Sequence, residues 1–147
     1  MSRTRTTMAL FVVVIAGLVL AGCSSDDEDS GGDSGGDGGG AAATEVDVEG
    51  SDDFKFSPSS ATVVAGEAVT ASFENSGAVD HNWTVLSEEI SSEDEFDEGL
   101  VIGGVAENVA GGASATGSLN LDAGSYQVIC TVPGHFAAGM EGTVTAE

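Results

Sequence analysis

Four side chains that could bind a soft metal ion lie in the second half of this 147-residue chain. They are His81, Cys130, His135 and Met140. Beyond the first 23 residues, the sequence contains no other histidine, cysteine or methionine. Three of the four fall within the eleven-residue segment CTVPGHFAAGM. This clustering predicts a single metal site.

The chemistry of these donors favours copper. A thiolate and two imidazoles in a trigonal plane, with a weak axial thioether, form a ligand set that accepts both Cu(I) and Cu(II). Zinc prefers Cys and His in a closed tetrahedron or keeps a water position, and a thioether is a poor ligand for it. Two other interpretations are a Cys–His hydrolase, with Cys130 as nucleophile and His135 or His81 as base, and a fold in which the four side chains merely pack.

The first 43 residues are predicted to be a targeting signal and a linker. Arg3 and Arg5 precede an uncharged run at residues 9–22, which is shorter than the about 20 residues of a membrane span and suits a secretory signal. The run ends in LAGC, which resembles the lipobox of bacterial and archaeal lipoproteins. Residues 1–22 are therefore expected to be removed and Cys23 to carry lipid, with an uncleaved membrane anchor as the alternative. Residues 23–43, rich in Gly, Ser and Asp, are expected to form a disordered linker.

Residues 44–147 predict a small all-β domain, a Greek-key sandwich or barrel. Polar and apolar residues alternate at period two in short segments separated by turn residues. The segments are residues 45–49, 54–56, 69–73, 83–86, 118–121, 126–130 and 142–145. Residues 87–112 are acidic first and rich in Gly and Ala later, and are expected to form an excursion with a short helix or loops.

The charge is strongly negative, with 25 Asp and Glu against 3 Lys and Arg and a net charge of −22. Lys55 is the only basic residue beyond Arg5 apart from the two histidines, so no basic patch exists to hold nucleic-acid phosphates. The acids are spread over the whole domain. Their repulsion is best tolerated in concentrated salt, where the Debye length falls to about 3 Å at 1 M. The composition therefore predicts a halophilic protein, with an acidic docking face for a basic partner as the alternative.

Two motifs resemble those of the cupredoxins, the type 1 blue copper proteins. The segment from Cys130 to Met140 looks like their C-terminal copper loop, and DHNW at residues 80–83 resembles their upstream histidine motif. The Cys-x4-His-x4-Met spacing is similar to that of auracyanins and rusticyanin, and differs from that of plastocyanins, pseudoazurins and azurins. The lipoprotein layout and acidic composition resemble those of halocyanins.

The resemblance implies a role for each residue of these motifs. His81, Cys130 and His135 would be the equatorial ligands of one copper ion, and Met140 the axial ligand. Asn82 would bond the Cys sulfur through its backbone N–H and join the two ligand loops through its side chain. The loop is long enough for an additional tight turn at residues 133–134. His135 would present its ring edge to solvent through an apolar collar made of Pro133, Phe136, Ala137 and Ala138.

The resulting expectation is an electron carrier and not an enzyme, since four protein ligands leave the copper no open position for a substrate. The protein would cycle between Cu(I) and Cu(II) as a monomer, anchored by lipid to the outer face of the cytoplasmic membrane. Its partners would be membrane redox complexes, namely a donor complex and an acceptor such as a terminal oxidase or reductase. Copper binding and delivery outside the cytoplasm is the alternative function.

Overall fold

Nine β-strands form the framework of residues 42–147, the part of the chain that the computed structural model describes. The strands are β1 (Glu45–Ser51), β2 (Lys55–Ser57), β3 (Ser60–Val63), β4 (Val69–Asn75), β5 (His81–Leu86), β6 (Val101–Val109), β7 (Ser114–Leu119), β8 (Gly124–Ile129) and β9 (Glu141–Ala146). Two 3-10 turns, Glu93–Glu95 and Glu98–Leu100, precede β6. No helix within this part could span a bilayer. The predicted signal segment, Cys23 and residues 24–41 of the predicted linker lie outside the described residues.

The strands hydrogen-bond into one sheet in the order β2-β1-β4-β7-β6-β5-β8-β9-β3. β1 runs parallel to β4 and β3 runs parallel to β9, whereas the other neighbours are antiparallel. The sheet curls until its two sides approach, because Ala43, just before β1, bridges Val63 on the edge strand β3. The result is a nearly closed barrel, which confirms the predicted all-β sandwich or barrel.

The apolar side of the period-two pattern fills the interior. In β1, Val46 and Val48 are buried while Glu45, Asp47 and Glu49 are exposed. β4 repeats this alternation with buried residues at its odd positions. The main buried cluster also contains Cys130 and Met140. Two of the four candidate ligands are therefore part of the core.

β5 differs from the other strands because it is buried along its whole length. Trp83 and Val85 belong to the main core, whereas Leu86, on the opposite face, belongs to a second cluster. That second core cluster consists of Leu86, Ile90, Ile129 and Phe136. Ile90 comes from the excursion after β5, so this excursion covers the strand face that would otherwise meet water.

The prediction of helix or loops at residues 87–112 is wrong for its second half. The acidic first half does form the two 3-10 turns, but Val101–Val109 is strand β6, paired with β5 and β7. The strand was not predicted because two glycines interrupt its alternation of polar and apolar residues. The glycines lie where neighbouring strands leave no room for a side chain. A Cβ at Gly103 would lie 2.8 Å from the Ser118 carbonyl oxygen, and one at Gly104 would lie 2.3 Å from that of Trp83. Strand β3, whose SATV sequence is only half apolar, is likewise absent from the predicted segments.

Candidate metal centre

The register of the sheet brings the two motifs to the same end of the barrel. β5 runs antiparallel to β8, with Thr84 opposite Ile129. His81 is the first residue of β5, and Cys130 follows the last residue of β8. Antiparallel pairing places the start of one strand beside the end of the other. The histidine and the cysteine thus become neighbours although they are distant in sequence.

The segment from Cys130 to Met140 is a compact loop closed by its own backbone. The His135 N–H donates to the Val132 carbonyl at 3.0 Å and Gly134 has φ +88°, as in a type II turn with proline at its second position. The Met140 N–H donates to the His135 carbonyl at 3.0 Å, and the Cys130 N–H donates to the Met140 carbonyl at 3.1 Å. The tight turn expected in this loop is present, and its backbone bonds hold the three ligand-bearing positions together.

The side chains of His81, Cys130 and His135 converge on one point. Nδ1 of His81 lies 3.1 Å from Nδ1 of His135, which lies 3.4 Å from Sγ of Cys130. The ligand atoms of the three residues all lie within 4.8 Å of one another. First-row ions such as zinc bind imidazole nitrogen at about 2.0–2.1 Å and thiolate sulfur at about 2.3 Å, so a single ion fits between these atoms. With the fully buried Met140, the four residues are arranged as a type 1 copper site.

Among these four residues, only His135 reaches the surface. It keeps 9% of its area exposed, whereas His81, Cys130 and Met140 are at 0%. The predicted apolar collar consists of four residues beside His135. Pro133, Ala137 and Ala138 are exposed, and Phe136 keeps the same 9% of its area exposed as His135 while its ring packs in the second core cluster. The apolar side chains that the Phe136 ring joins there are Leu86, Ile90 and Ile129.

Burial dominates the electrostatics of the site. It raises the pKa of the Cys130 thiol, and hydrogen bonds from the backbone N–H groups of Asn82 and Val132 oppose that shift. Burial, followed by the charge of His81, lowers the pKa of His135. Neutral imidazole is the form that binds metal, so His135 is ready to act as a ligand. The thiol must instead release its proton when the metal ion binds, because the thiolate is the ligand.

Asn82 connects the histidine segment with the cysteine segment. Its backbone N–H is 3.5 Å from Sγ of Cys130. Its Nδ2 donates to Oγ1 of Thr131 and Oδ1 of Asn108, both at 2.8 Å. Its Oδ1 accepts from the Thr131 N–H at 2.8 Å and from the Thr84 hydroxyl at 3.3 Å. The side chain is fully buried, so it forms a fixed link between the two segments.

The turn after β1 contributes two residues that no sequence pattern indicated. Oδ1 of Asp52 lies 3.4 Å from Nε2 of His81. The ring of Phe54 packs edge-on against His135, with a centroid distance of 4.9 Å, and lies 6.3 Å from the ring of His81. The alternation in FKF predicts a strand at residues 54–56, but Phe54 has φ +59° and belongs to the turn, and β2 begins at Lys55. Asp52 carries no signal of its own among the 25 acids.

Two further contacts hold the copper loop from outside. Oε1 of Glu93, in the first 3-10 turn, accepts from the backbone N–H groups of Gly134 at 2.8 Å and Ala137 at 3.3 Å. Nζ of Lys55 donates to the Gly139 carbonyl at 3.1 Å. Lys55 is the sole Lys or Arg between residues 42 and 147. The acidic excursion and the first residue of β2 therefore both support the loop.

Comparison with known proteins agrees with this geometry. Residues 42–147 match the model of the copper-binding proteins of the plastocyanin/azurin family. The chain is 33% identical over 153 residues to auracyanin-A of Chloroflexus aurantiacus, and the alignment covers 92% of this chain and 94% of that protein. It is 35% identical over 101 residues to the copper-resistant cuproprotein CopI of Rubrivivax gelatinosus, which covers 64% of this chain and 61% of that protein.

Among solved structures, the fold is similar to that of dithionite-reduced auracyanin from Roseiflexus castenholzii. The TM-score is 0.66 at 22% identity, covering 73% of this chain and 99% of that one. The family match spans the described domain, and the auracyanin-A match extends over nearly the full length of both proteins. The chain therefore belongs to the plastocyanin/azurin family of copper-binding proteins, the cupredoxins, with copper as its cofactor.

Proposed function

We propose that this cupredoxin is an electron carrier that exchanges single electrons with partner proteins. Copper bound at the site supplies the redox chemistry, because this ligand set accepts both Cu(I) and Cu(II). The burial pattern is the observation that carries the proposal. His81, Cys130 and Met140 are closed to solvent, while His135 alone reaches the surface. Such a site excludes water and small molecules but offers one imidazole edge through which an electron can pass.

Each residue of the site has a distinct role in this proposal. His81, Cys130 and His135 are the equatorial ligands of one copper ion per chain, and Met140 is the axial ligand. Asn82 holds the cysteine segment against the histidine segment, because its buried amide bonds to both the backbone and the side chain of Thr131. A fixed ligand geometry keeps the reorganisation on electron transfer small.

The same ligand set supports a role other than catalysis. Four protein donors leave no open position on the ion, which a metal-dependent enzyme needs for substrate or water. The Cys–His hydrolase interpretation is disfavoured because Cys130 is fully buried and the pKa of its thiol is raised. A nucleophilic cysteine requires the opposite, a lowered pKa and access to substrate.

The proposed location rests on the sequence of the first 43 residues. Removal of residues 1–22 would leave lipid-bearing Cys23 as the new N-terminus, anchored to the outer face of the cytoplasmic membrane. The Gly/Ser-rich linker that precedes Ala43 would let a monomeric domain reorient toward its partners. A donor complex and a terminal oxidase or reductase in the same membrane are the proposed partners. The spread of acidic residues supports a high-salt environment.

The optical and electron-paramagnetic-resonance spectra of the Cu(II)-loaded protein test the proposal, together with voltammetry. We expect an intense blue colour and a reversible one-electron couple. Cys130→Ser should abolish the colour, because the thiolate is the strong electron donor to Cu(II). Met140→Leu should keep the colour and raise the potential, because only the weak axial thioether is lost. A colourless wild-type protein that binds copper loosely would contradict electron transfer at this site.

Copper delivery is a second candidate function, favoured by the likeness to a protein named a copper-resistant cuproprotein. A delivery site should be exposed and should hold Cu(I) through several soft ligands. This chain supplies one thiol and one thioether to the site, both fully buried. Competition with a Cu(I) chelator separates the two functions. A carrier keeps its copper through repeated redox cycles, whereas a delivery protein gives it up rapidly in the reduced state.

A further inference from the structure

The carboxylate of Asp52 occupies a fixed position beside the copper centre. Both of its oxygens accept from the Ala78 N–H at 2.9 Å, and Oδ1 also accepts from the Val79 N–H at 3.3 Å. These three backbone bonds fix the carboxylate in place. From this position Oδ1 lies 3.4 Å from Nε2 of His81. This is the nitrogen that does not face His135.

The fold keeps a space for this carboxylate at Gly77. A Cβ at position 77 would lie 2.1 Å from Oδ1 and 2.8 Å from Cγ of Asp52. Any side chain at this position would push the carboxylate away from His81. A glycine in the turn before β5 thus leaves room for the carboxylate of Asp52, which comes from the turn after β1.

We infer that Asp52 is a positioning residue of the copper centre, which keeps the proton of His81 on Nε2 and favours the oxidised over the reduced ion. The inference rests on the proposed electron-transfer function. A histidine that binds metal through one nitrogen donates the N–H of the other, and a carboxylate acceptor fixes the tautomer and makes the imidazole a stronger ligand. Nδ1 of His81 then keeps its lone pair toward Cys130 and His135. The negative charge also favours the more positive state of the ion.

Asp53 provides a matched control in the same turn. It is exposed and accepts a hydrogen bond from the Ser51 hydroxyl, whereas the neighbouring Asp52 is the one that contacts His81. Asp52→Asn and Asp53→Asn change the net charge equally and at adjacent positions. A difference between the two variants therefore reports the contact with His81 and not the overall charge of the protein.

Voltammetry of the copper-loaded protein at about 1 M potassium chloride, where the Debye length is about 3 Å, tests the inference. Changes to such outer partners alter metal affinity by about 10–100-fold. The side chain of Asp52 is about half exposed, so we expect Asp52→Asn to have an effect at the lower end of this range. The expected effect is a tenfold change in the relative stability of the two oxidation states. This corresponds to a rise in potential of about 59 mV for one electron. Asp53→Asn should give a much smaller shift, and Gly77→Ala should raise the potential with no change in net charge.

The wild-type protein offers a measurement that needs no variant. In the reduced, copper-loaded protein, the Nε2 proton of His81 should be visible by NMR and slow to exchange with water. Two results would overturn the role of Asp52 without affecting the electron-transfer function. One is an equal shift in potential for Asp52→Asn and Asp53→Asn. The other is a fast-exchanging Nε2 proton of His81 in a blue protein with a reversible one-electron couple. A wild-type protein without a reversible couple would overturn the electron-transfer function and this inference with it.

Discussion

Replacement of Asn82 by alanine removes only a few atoms but should destabilise the protein strongly. The amide is fully buried and forms four hydrogen bonds. Two of them go to the hydroxyl and backbone N–H of Thr131, one to Thr84 and one to Asn108. Alanine removes all four but keeps the backbone N–H that lies 3.5 Å from Sγ of Cys130.

The expected loss in the free energy of unfolding follows from how well each hydrogen bond is shielded from water. A hydrogen bond contributes about 1 kcal/mol net, and an unsatisfied buried partner costs more than a solvated one. The two bonds to Thr131, both 2.8 Å long, count in full, and the 3.3 Å bond to the buried Thr84 hydroxyl counts for somewhat less. Asn108 is exposed and regains water, so its bond adds little. The expected loss is about 3 kcal/mol, or a fall in Tm of about 12–24 °C for a domain of this size.

Thermal unfolding of the metal-free protein, followed by the fluorescence of the single and buried Trp83, measures this loss. Asn108→Ala is the matched control, because it removes only the solvated end of the network and should cost less than about 1 kcal/mol. In the copper-loaded form, Asn82→Ala should also release copper faster, since the cysteine segment is no longer held against β5. If Asn82→Ala and Asn108→Ala melt within a few degrees of each other, the network does not hold the site together and the reasoning fails.

Three further changes test other features of the fold. Gly50→Ala should cost about 1–3 kcal/mol, the usual cost of overpacking, since the new Cβ would lie 2.6 Å from Cζ of Phe73 and 3.1 Å from Cε of Met140. Urea unfolding measures this cost, and an unchanged midpoint and copper spectrum would contradict it. Glu93→Ala should speed hydrogen exchange at the two loop amides that the carboxylate binds, whereas Asp94→Ala in the same turn should not. Equal exchange in the two variants would argue against this support of the copper loop. Raising potassium chloride from about 0.1 M to 1 M shortens the Debye length from about 10 to 3 Å and should raise Tm, and a fall in Tm would argue against the halophilic interpretation.

Most of the strands could be predicted because their side chains face an apolar interior on one side and water on the other. β1 shows the required alternation of exposed and buried residues from Glu45 to Gly50. The failures have local physical causes. β6 contains Gly103 and Gly104, whose missing side chains allow close approach of neighbouring strands and remove the apolar signal. Residues 87–100 cover a strand already buried on its other side, so their few apolar residues pack without a repeating pattern.

The candidate ligands could be predicted because their chemistry is scarce in this chain, whereas the residues around them are common types. Asp52 and Glu93 are two of 25 acids, and Phe54 is one of six phenylalanines. Nothing in their spacing sets them apart from solvated charges or core side chains. Their contacts arise because the turn after β1, the start of β5, the first 3-10 turn and the copper loop meet at one end of the barrel.

The sequence by itself determined the chemistry of this protein, because thiolate, imidazole and thioether donors occur almost nowhere else in the chain and their spacing is a local property. It also determined the β class, because alternation along a strand is set by the nearest neighbours. Only the tertiary structure decided that Phe136 packs in the second core cluster, that Phe54 packs against His135, and that Asp52 lies beside His81. These outcomes depend on how distant segments share the space at one end of a nearly closed barrel, which no local pattern encodes.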